Sequence, residues 1–140
     1  MTSDRLGNAA ATFIALALAG CALAPERDTP FAVPDGEWEL VTSSLVEIGR
    51  LPGMARPTLA FHNGRVSAFS GCNRGEGHVA DAQGRLAVQA LTLTKRACPE
   101  PIGSFESRYF QLLRDAPVYR VEGDTLLIVA GDYNARFRRR

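Results

Sequence analysis

The sequence predicts a mainly β domain, a small curved antiparallel sheet or barrel with one packed α-helix. Three features predict it. Short runs of alternating apolar and polar residues recur between glycine-bearing turns, which is the period-2 pattern of strands with one buried face. One stretch, Ser104 to Ala116, instead carries its apolar residues at helical spacing. The segment from Gly36 to Arg140 has the length of one ordinary domain, enough for a single core.

Taken in order, "GEWELVTSS" alternates around Trp38, Leu40 and Thr42 and reads as the first strand. "PTLAFHNGRVSAFS" holds Asn63-Gly64 between two apolar-bearing runs, a hairpin signal because a type I′ turn needs positive φ at both central residues. Gly75-Glu76-Gly77 and Gln83-Gly84 read as turns on either side of a short "HVAD" strand. "RLAVQAL" then places Leu86, Val88 and Ala90 on one face, with Arg85 and Gln89 on the other. The helix "SFESRYFQLLRDA" takes Ser104 as its cap, repeats Phe105, Tyr109, Leu112, Leu113 and Ala116 along one side, and stops at Pro117. Beyond it, "VYRVEGDTLLIVAGDYNARFR" reads as three strands turned at Gly123-Asp124 and Gly131-Asp132. Leu126 to Val129 is apolar on both faces and is expected to be central. Many short strands with one helix suggest a sheet closed at one end by that helix.

Ahead of this domain, Arg5 precedes an uncharged Ala- and Leu-rich run that ends at Gly20. It is shorter than the about 20 apolar residues a membrane span needs, and has the form of a signal peptide. Leu18-Ala19-Gly20-Cys21 matches the bacterial lipobox, in which signal peptidase II cuts before an acylated cysteine. Residues 1–20 are therefore expected to be removed, and Cys21 to carry the lipid. Each buried CH2 contributes about 0.8 kcal/mol, so an anchor of more than one chain is adequate. Residues 21–35 contain Pro25, Pro30 and Pro34 and read as an extended tether, with the folded domain over residues 36–140. Ala22 after the cysteine favours the outer membrane, facing the periplasm, by resemblance to enterobacterial sorting.

Charge gives no case for nucleic acid. The chain has 16 Lys and Arg against 15 Asp and Glu, and losing residues 1–20 takes away one of each, Arg5 and Asp4. The net charge stays at +1, without the concentrated basic surface that binding nucleic acid requires. The terminal "RFRRR" reads as a strand end and solvated tail, with weak contact to anionic lipid as its second reading.

The domain holds two cysteines, Cys72 and Cys98. In an exported chain they most simply form one disulfide, closing a loop of about 27 residues and contributing about 3 to 4 kcal/mol in the chain-entropy account. Two alternatives stay open. A metal site would recruit Cys72, His78 and Cys98, although neither cysteine belongs to a CxxC pair. A catalytic thiol would need His62 or His78 as its base, and no nucleophile motif surrounds Cys72. "GCNRGEG" lacks the lysine and the strand-to-helix setting of a phosphate loop, so its glycines and Asn73 read as turn residues of positive φ. Glu76, Asp81 and Glu100 read as solvated carboxylates, His62 as exposed, and Tyr109 and Phe110 as core. Thr92, Thr94, Lys95 and Arg96 form the polar cluster best suited to a binding surface.

"SGCNRGEGHV", then "LTLTKRACP", then a helix ending in "LLRD" and a "GDTLLIV" strand together resemble the META domain of HslJ-like heat-shock lipoproteins. The resemblance runs from about Trp38 to Phe137. Its most specific parts are Gly71-Cys72-Asn73 with Gly77, and Thr94-Lys95 with Cys98-Pro99. "LVEIGRLPGMARP", Leu45 to Pro57, departs from it as a loop of variable length. The resemblance implies a β-rich barrel-like domain, an envelope address and a context of heat stress and antibiotic tolerance, with no established reaction. The expected function is non-enzymatic and without cofactor. It would act through the Cys21 membrane anchor and through protein or envelope contacts, an envelope protein among the possible partners. A small-ligand barrel and a hydrolase with an unrecognised site are the rival readings.

Overall fold

The computed structural model describes residues 32–45 and 53–140. The expected signal segment, Cys21, residues 21–31 of the tether and residues 46–52 of the variable loop lie outside the described residues. The elements run β1 (Gly36–Ser43), β2 (Thr58–His62), β3 (Arg65–Phe69), β4 (Arg74–Asp81), β5 (Leu86–Leu93), α1 (Ile102–Arg114), β6 (Val118–Glu122), β7 (Thr125–Ala130) and β8 (Tyr133–Arg139). The strands make one antiparallel sheet in the order β5-β4-β3-β2-β1-β8-β7-β6. β1 thus lies inside the sheet, between its sequence neighbour β2 and the last strand, β8.

The sheet curls until its two edges meet at one end. There Leu86 N donates to Pro117 O at 2.9 Å, Tyr119 N donates to Gly84 O at 3.1 Å, and Arg85 bridges Val118. The result is a half-barrel with α1 packed along its inside, mainly β as the alternation predicts. Asn63-Gly64 and Gln83-Gly84 make the expected tight turns, with positive φ at all four residues. The chain packs before Gly36 as well: Pro34 is buried and accepts the Trp38 indole N–H at 3.1 Å. Arg139, inside the basic C-terminal run, stacks over Trp38 at 4.3 Å and donates to Asp35 O at 3.0 Å, so it belongs to the fold and not to a tail.

Several local expectations are corrected. Gly75-Glu76-Gly77 is not a turn but part of continuous β4, where both glycines face inward and Glu76 outward. A Cβ on Gly75 would sit 2.8 Å from Leu93 Cδ2 and from Phe110 Cε1, so the missing side chain is what admits the helix. Gly77 faces a bulge at Ala90, where φ is +52° and the β4–β5 register shifts. The bulge turns Ala90 outward, away from the face of Leu86, and passes the packing to Leu91 and Leu93. α1 begins at Ile102 after Pro101, and Ser104 is not its cap. Ser104 sits in the first turn, where its hydroxyl donates to Glu100 Oε2 at 2.6 Å and its N–H donates to the same oxygen at 3.3 Å. Glu100, exposed as expected, places a negative charge at the helix start, where the dipole favours it. β7 is paired on both edges but lies one strand from the sheet's edge, and is not central.

Period-2 alternation delivers the core. Trp38 and Leu40, Leu59 and Phe61, Val66 and Ala68, Leu126 and Ile128, and Ala135 and Phe137 all point inward from their strands and are buried. Onto them α1 lays Phe105, Tyr109, Phe110, Leu112 and Leu113. Each fully buried large side chain contributes about 1.5–3 kcal/mol. These residues pack together as one core inside the half-barrel. Among the described residues, no helix is long and apolar enough to cross a membrane.

Two phenols hold polar partners in this core. Tyr109 Oη donates to Thr58 O at 3.0 Å, and Tyr119 Oη donates to Asp81 Oδ1 at 3.0 Å. That Asp81 oxygen also accepts Gly84 N at 3.0 Å, so Asp81, read as solvated, is a fastening of the seam. Burial pushes the Tyr109 phenol well above its ordinary value; burial first, then the Asp81 bond and charge, does the same for Tyr119. An unfolded tyrosine loses its proton near pH 10, whereas these keep theirs when folded. The folded state then binds more protons than the unfolded one, so stability present below about pH 10 is lost as pH rises beyond it. Chemical unfolding at pH 9, 10 and 11 should show that decline, and Tyr119→Phe should flatten it.

Candidate functional site

The segment the sequence marks most strongly, Ser70 to Asn73, is a tight turn between β3 and β4. Ser70 N donates to Asn73 O at 3.0 Å, and Ser70 Oγ accepts the N–H groups of Cys72 at 3.2 Å and Asn73 at 3.0 Å. Gly71, at φ +98°, lies under Met54 and Ala55, and a Cβ there would sit 2.7 Å from Ala55 O. Asn73 does not adopt the positive φ expected of it. It is instead a buried amide, 2% exposed.

That amide uses its whole hydrogen-bonding capacity. Its Nδ2 donates to Arg96 O and to Glu106 Oε1, both at 2.9 Å. Its Oδ1 accepts Thr94 Oγ1 at 2.7 Å and Arg96 N at 2.8 Å. Glu106, on the first half of α1, also accepts Asn73 N at 3.0 Å and Ser70 Oγ at 2.5 Å. Over this hub Cys72 and Cys98 are joined as a disulfide with Cα atoms 6.2 Å apart. Glu106 Oε2 is 3.7 Å from Cys98 Sγ. Three segments thus converge: the β3–β4 turn, the coil after β5, and the helix.

The hub sets how the predicted binding cluster is displayed. Thr92, Thr94, Lys95 and Arg96 lie together on the end of β5 and the coil after it, all exposed. Their polar groups are not equally free. Thr92 Oγ1 donates to Glu76 O at 3.2 Å, while Thr94 Oγ1 turns into the hub and also accepts Arg74 N at 3.0 Å. Arg96 is gripped by its main chain, which leaves its guanidinium outside with the Lys95 ammonium. Beside them is an open depression of about 270 Å³ lined by Arg74, Glu76, Thr92, Leu93 and Thr94.

His78 does not meet the cysteines. It lies exposed on the outer face of β4, opposite Arg65 and Gln89, and the carboxylate of Glu106 stands where the metal reading placed an imidazole. His62 is exposed beside the Asn63-Gly64 turn and meets Asp35 at 3.3 Å. Neither histidine that the thiol reading named as a base is grouped with the cysteines among the described residues. Ser70 is fully buried and its hydroxyl is held by the hub, so it presents no nucleophile. Glu106 was not singled out by sequence, although a signal exists: it precedes the inward Phe110 by four residues and Leu113 by seven, an acid on an apolar stripe.

Asn73→Ala should cost about 2 to 4 kcal/mol in denaturant unfolding, since several buried groups lose partners at once. Replacing Cys72 and Cys98 together with Ala should cost about 3 kcal/mol, with the fold kept at low temperature. Mass spectrometry of non-reduced peptides checks the linkage, and two freely alkylatable thiols in native material would contradict it.

Comparison with known proteins agrees with this architecture. The chain is similar to a protein from Burkholderia xenovorans solved by NMR, at 24% identity and a TM-score of 0.60 over 76% of this chain and 82% of that one. A second NMR structure matches at 16% identity and a TM-score of 0.59, over 74% of this chain and 87% of that one. A crystal structure of a DUF4847 family protein from Bacteroides vulgatus matches at 15% identity and a TM-score of 0.50, over 74% and 92%. At such identities the likeness is one of fold. No curated protein matches the sequence significantly. The profile of the META domain matches residues 31–140, most of the chain, and the protein belongs to the META domain family.

Proposed function

We propose that this protein is a membrane-anchored envelope lipoprotein whose META domain acts without catalysis, through contact with an envelope protein, in tolerance of heat or antibiotic stress. The observation that carries the contact reading is the display of Lys95 and Arg96. Their backbone is fixed by Asn73 and the cystine, yet their charged ends are exposed. A partner meeting them finds groups already ordered on the main chain, so less conformational entropy is lost on binding. Glu106 and Ser70, in the hub beneath them, make internal hydrogen bonds, which supports a holding role over a reacting one. Leu18-Ala19-Gly20-Cys21 supports the anchor, with Cys21 as the acylated N-terminus. The stress context rests on resemblance to HslJ-like lipoproteins.

Photo-crosslinking groups placed at Lys95 and Arg96 in the lipidated protein should capture one discrete envelope partner under heat or antibiotic stress. The same groups at Gln111 on α1 should not. Lys95→Ala with Arg96→Ala should reduce capture and survival while leaving the unfolding free energy within about 0.5 kcal/mol of the original. Cys21→Ser should abolish maturation by signal peptidase II and release the protein from membranes. A variant that still matures and fractionates with membranes would refute the anchor.

A further inference from the structure

We propose that in its reduced state the protein binds one divalent cation of the zinc class through Cys72 Sγ, Cys98 Sγ and a Glu106 carboxylate oxygen. One ligand atom from each residue lies within 4.8 Å of the others, and all three residues are half-buried. Glu106 is already oriented for such a task. Asn73 N and Ser70 Oγ donate to its Oε2, and Asn73 Nδ2 donates to its Oε1, which keeps one lone pair and lies 3.8 Å from Cys98 Sγ. A ligating carboxylate held by outer hydrogen bonds is the usual support of a metal centre. Two thiolates with one oxygen donor form a soft-to-borderline set that suits a zinc-class ion and leaves a fourth tetrahedral position for water.

The chemistry balances with a dithiol as reductant. Its two sulfurs join to each other as the Cys72–Cys98 bond breaks, passing two electrons and two protons to the cysteines. The cation then displaces both thiol protons to solvent, and two thiolates and one carboxylate face its double charge. In that state the ion replaces the covalent bond as the tie between the β3–β4 turn and the coil ahead of α1.

The test uses the full chain with Cys21→Ser, which removes the one competing thiol. The protein is reduced with dithiothreitol, freed of it anaerobically and titrated with Cd²⁺. A sulfur-to-metal charge-transfer band saturating at one equivalent, reversed by excess Zn²⁺ and missing from the oxidised protein, is expected. Glu106→Gln should weaken Cd²⁺ binding at least about ten-fold, the lower end of what disturbing a metal's support costs. Glu100→Gln, a nearby carboxylate outside the triad, should leave it unchanged. X-ray absorption of the zinc form with Glu106 intact should give two sulfurs at about 2.3 Å with oxygen ligands at about 2.0 Å, a reading that stands even if Glu106→Gln fails to fold. Absence of the band, saturation at half an equivalent, more than two sulfurs per zinc, or unchanged affinity in a folded Glu106→Gln would each overturn the proposal.

Discussion

The side-chain amide of Asn73 is the interaction on which the arrangement of this domain turns. After Thr94, whose N–H still donates to Arg74 O, the coil leading to α1 leaves the strand ladder. Asn73 supplies what is missing, accepting from Arg96 N and donating to Arg96 O as a neighbouring strand would. Its remaining hydrogen-bonding sites reach Thr94 and Glu106, so one residue couples sheet, coil and helix. Inside a low-dielectric interior such a network is strong when complete and costly when any member is lost. Among the described residues, no buried side-chain nitrogen or oxygen is left without a partner.

Much of the architecture was legible because it is periodic. Alternation around Trp38 and Leu40, the Asn63-Gly64 turn and the Phe105–Tyr109–Leu112 spacing each state a local rule that the fold obeys. What escaped reading is where two elements must be known together. Gly75 and Gly77 resemble turn residues by composition, yet they are strand glycines whose missing side chains make room for Phe110 and for the bulge at Ala90. Asn73 carries the same composition as a turn residue, and only the approach of Arg96 and Glu106, more than twenty and thirty positions away, makes it a hub. Of the site, the cysteine pair and the exposed Thr92–Arg96 cluster could be named from sequence. Glu106 could have been found from its place on an apolar stripe.

The cystine and the hub share one mechanical role from different chemistry. The disulfide restricts the unfolded chain, whereas the hydrogen bonds act on the folded one. Both converge on the coil that carries Lys95 and Arg96, which has no strand partner of its own.

β1 pairs with both the strand that follows it and the strand that ends the chain, with Trp38 opposite Arg139. This has a consequence for the order of events during synthesis. The meander from β1 to β5 can assemble as it emerges, but one edge of β1 stays open until β8 arrives. Until then Trp38 lacks the Arg139 guanidinium over its ring, and Leu40 lacks Phe137 beside it. The domain is therefore completed by β8: a nascent chain short of it is a partial sheet with a bare apolar edge, a kind of species prone to aggregate.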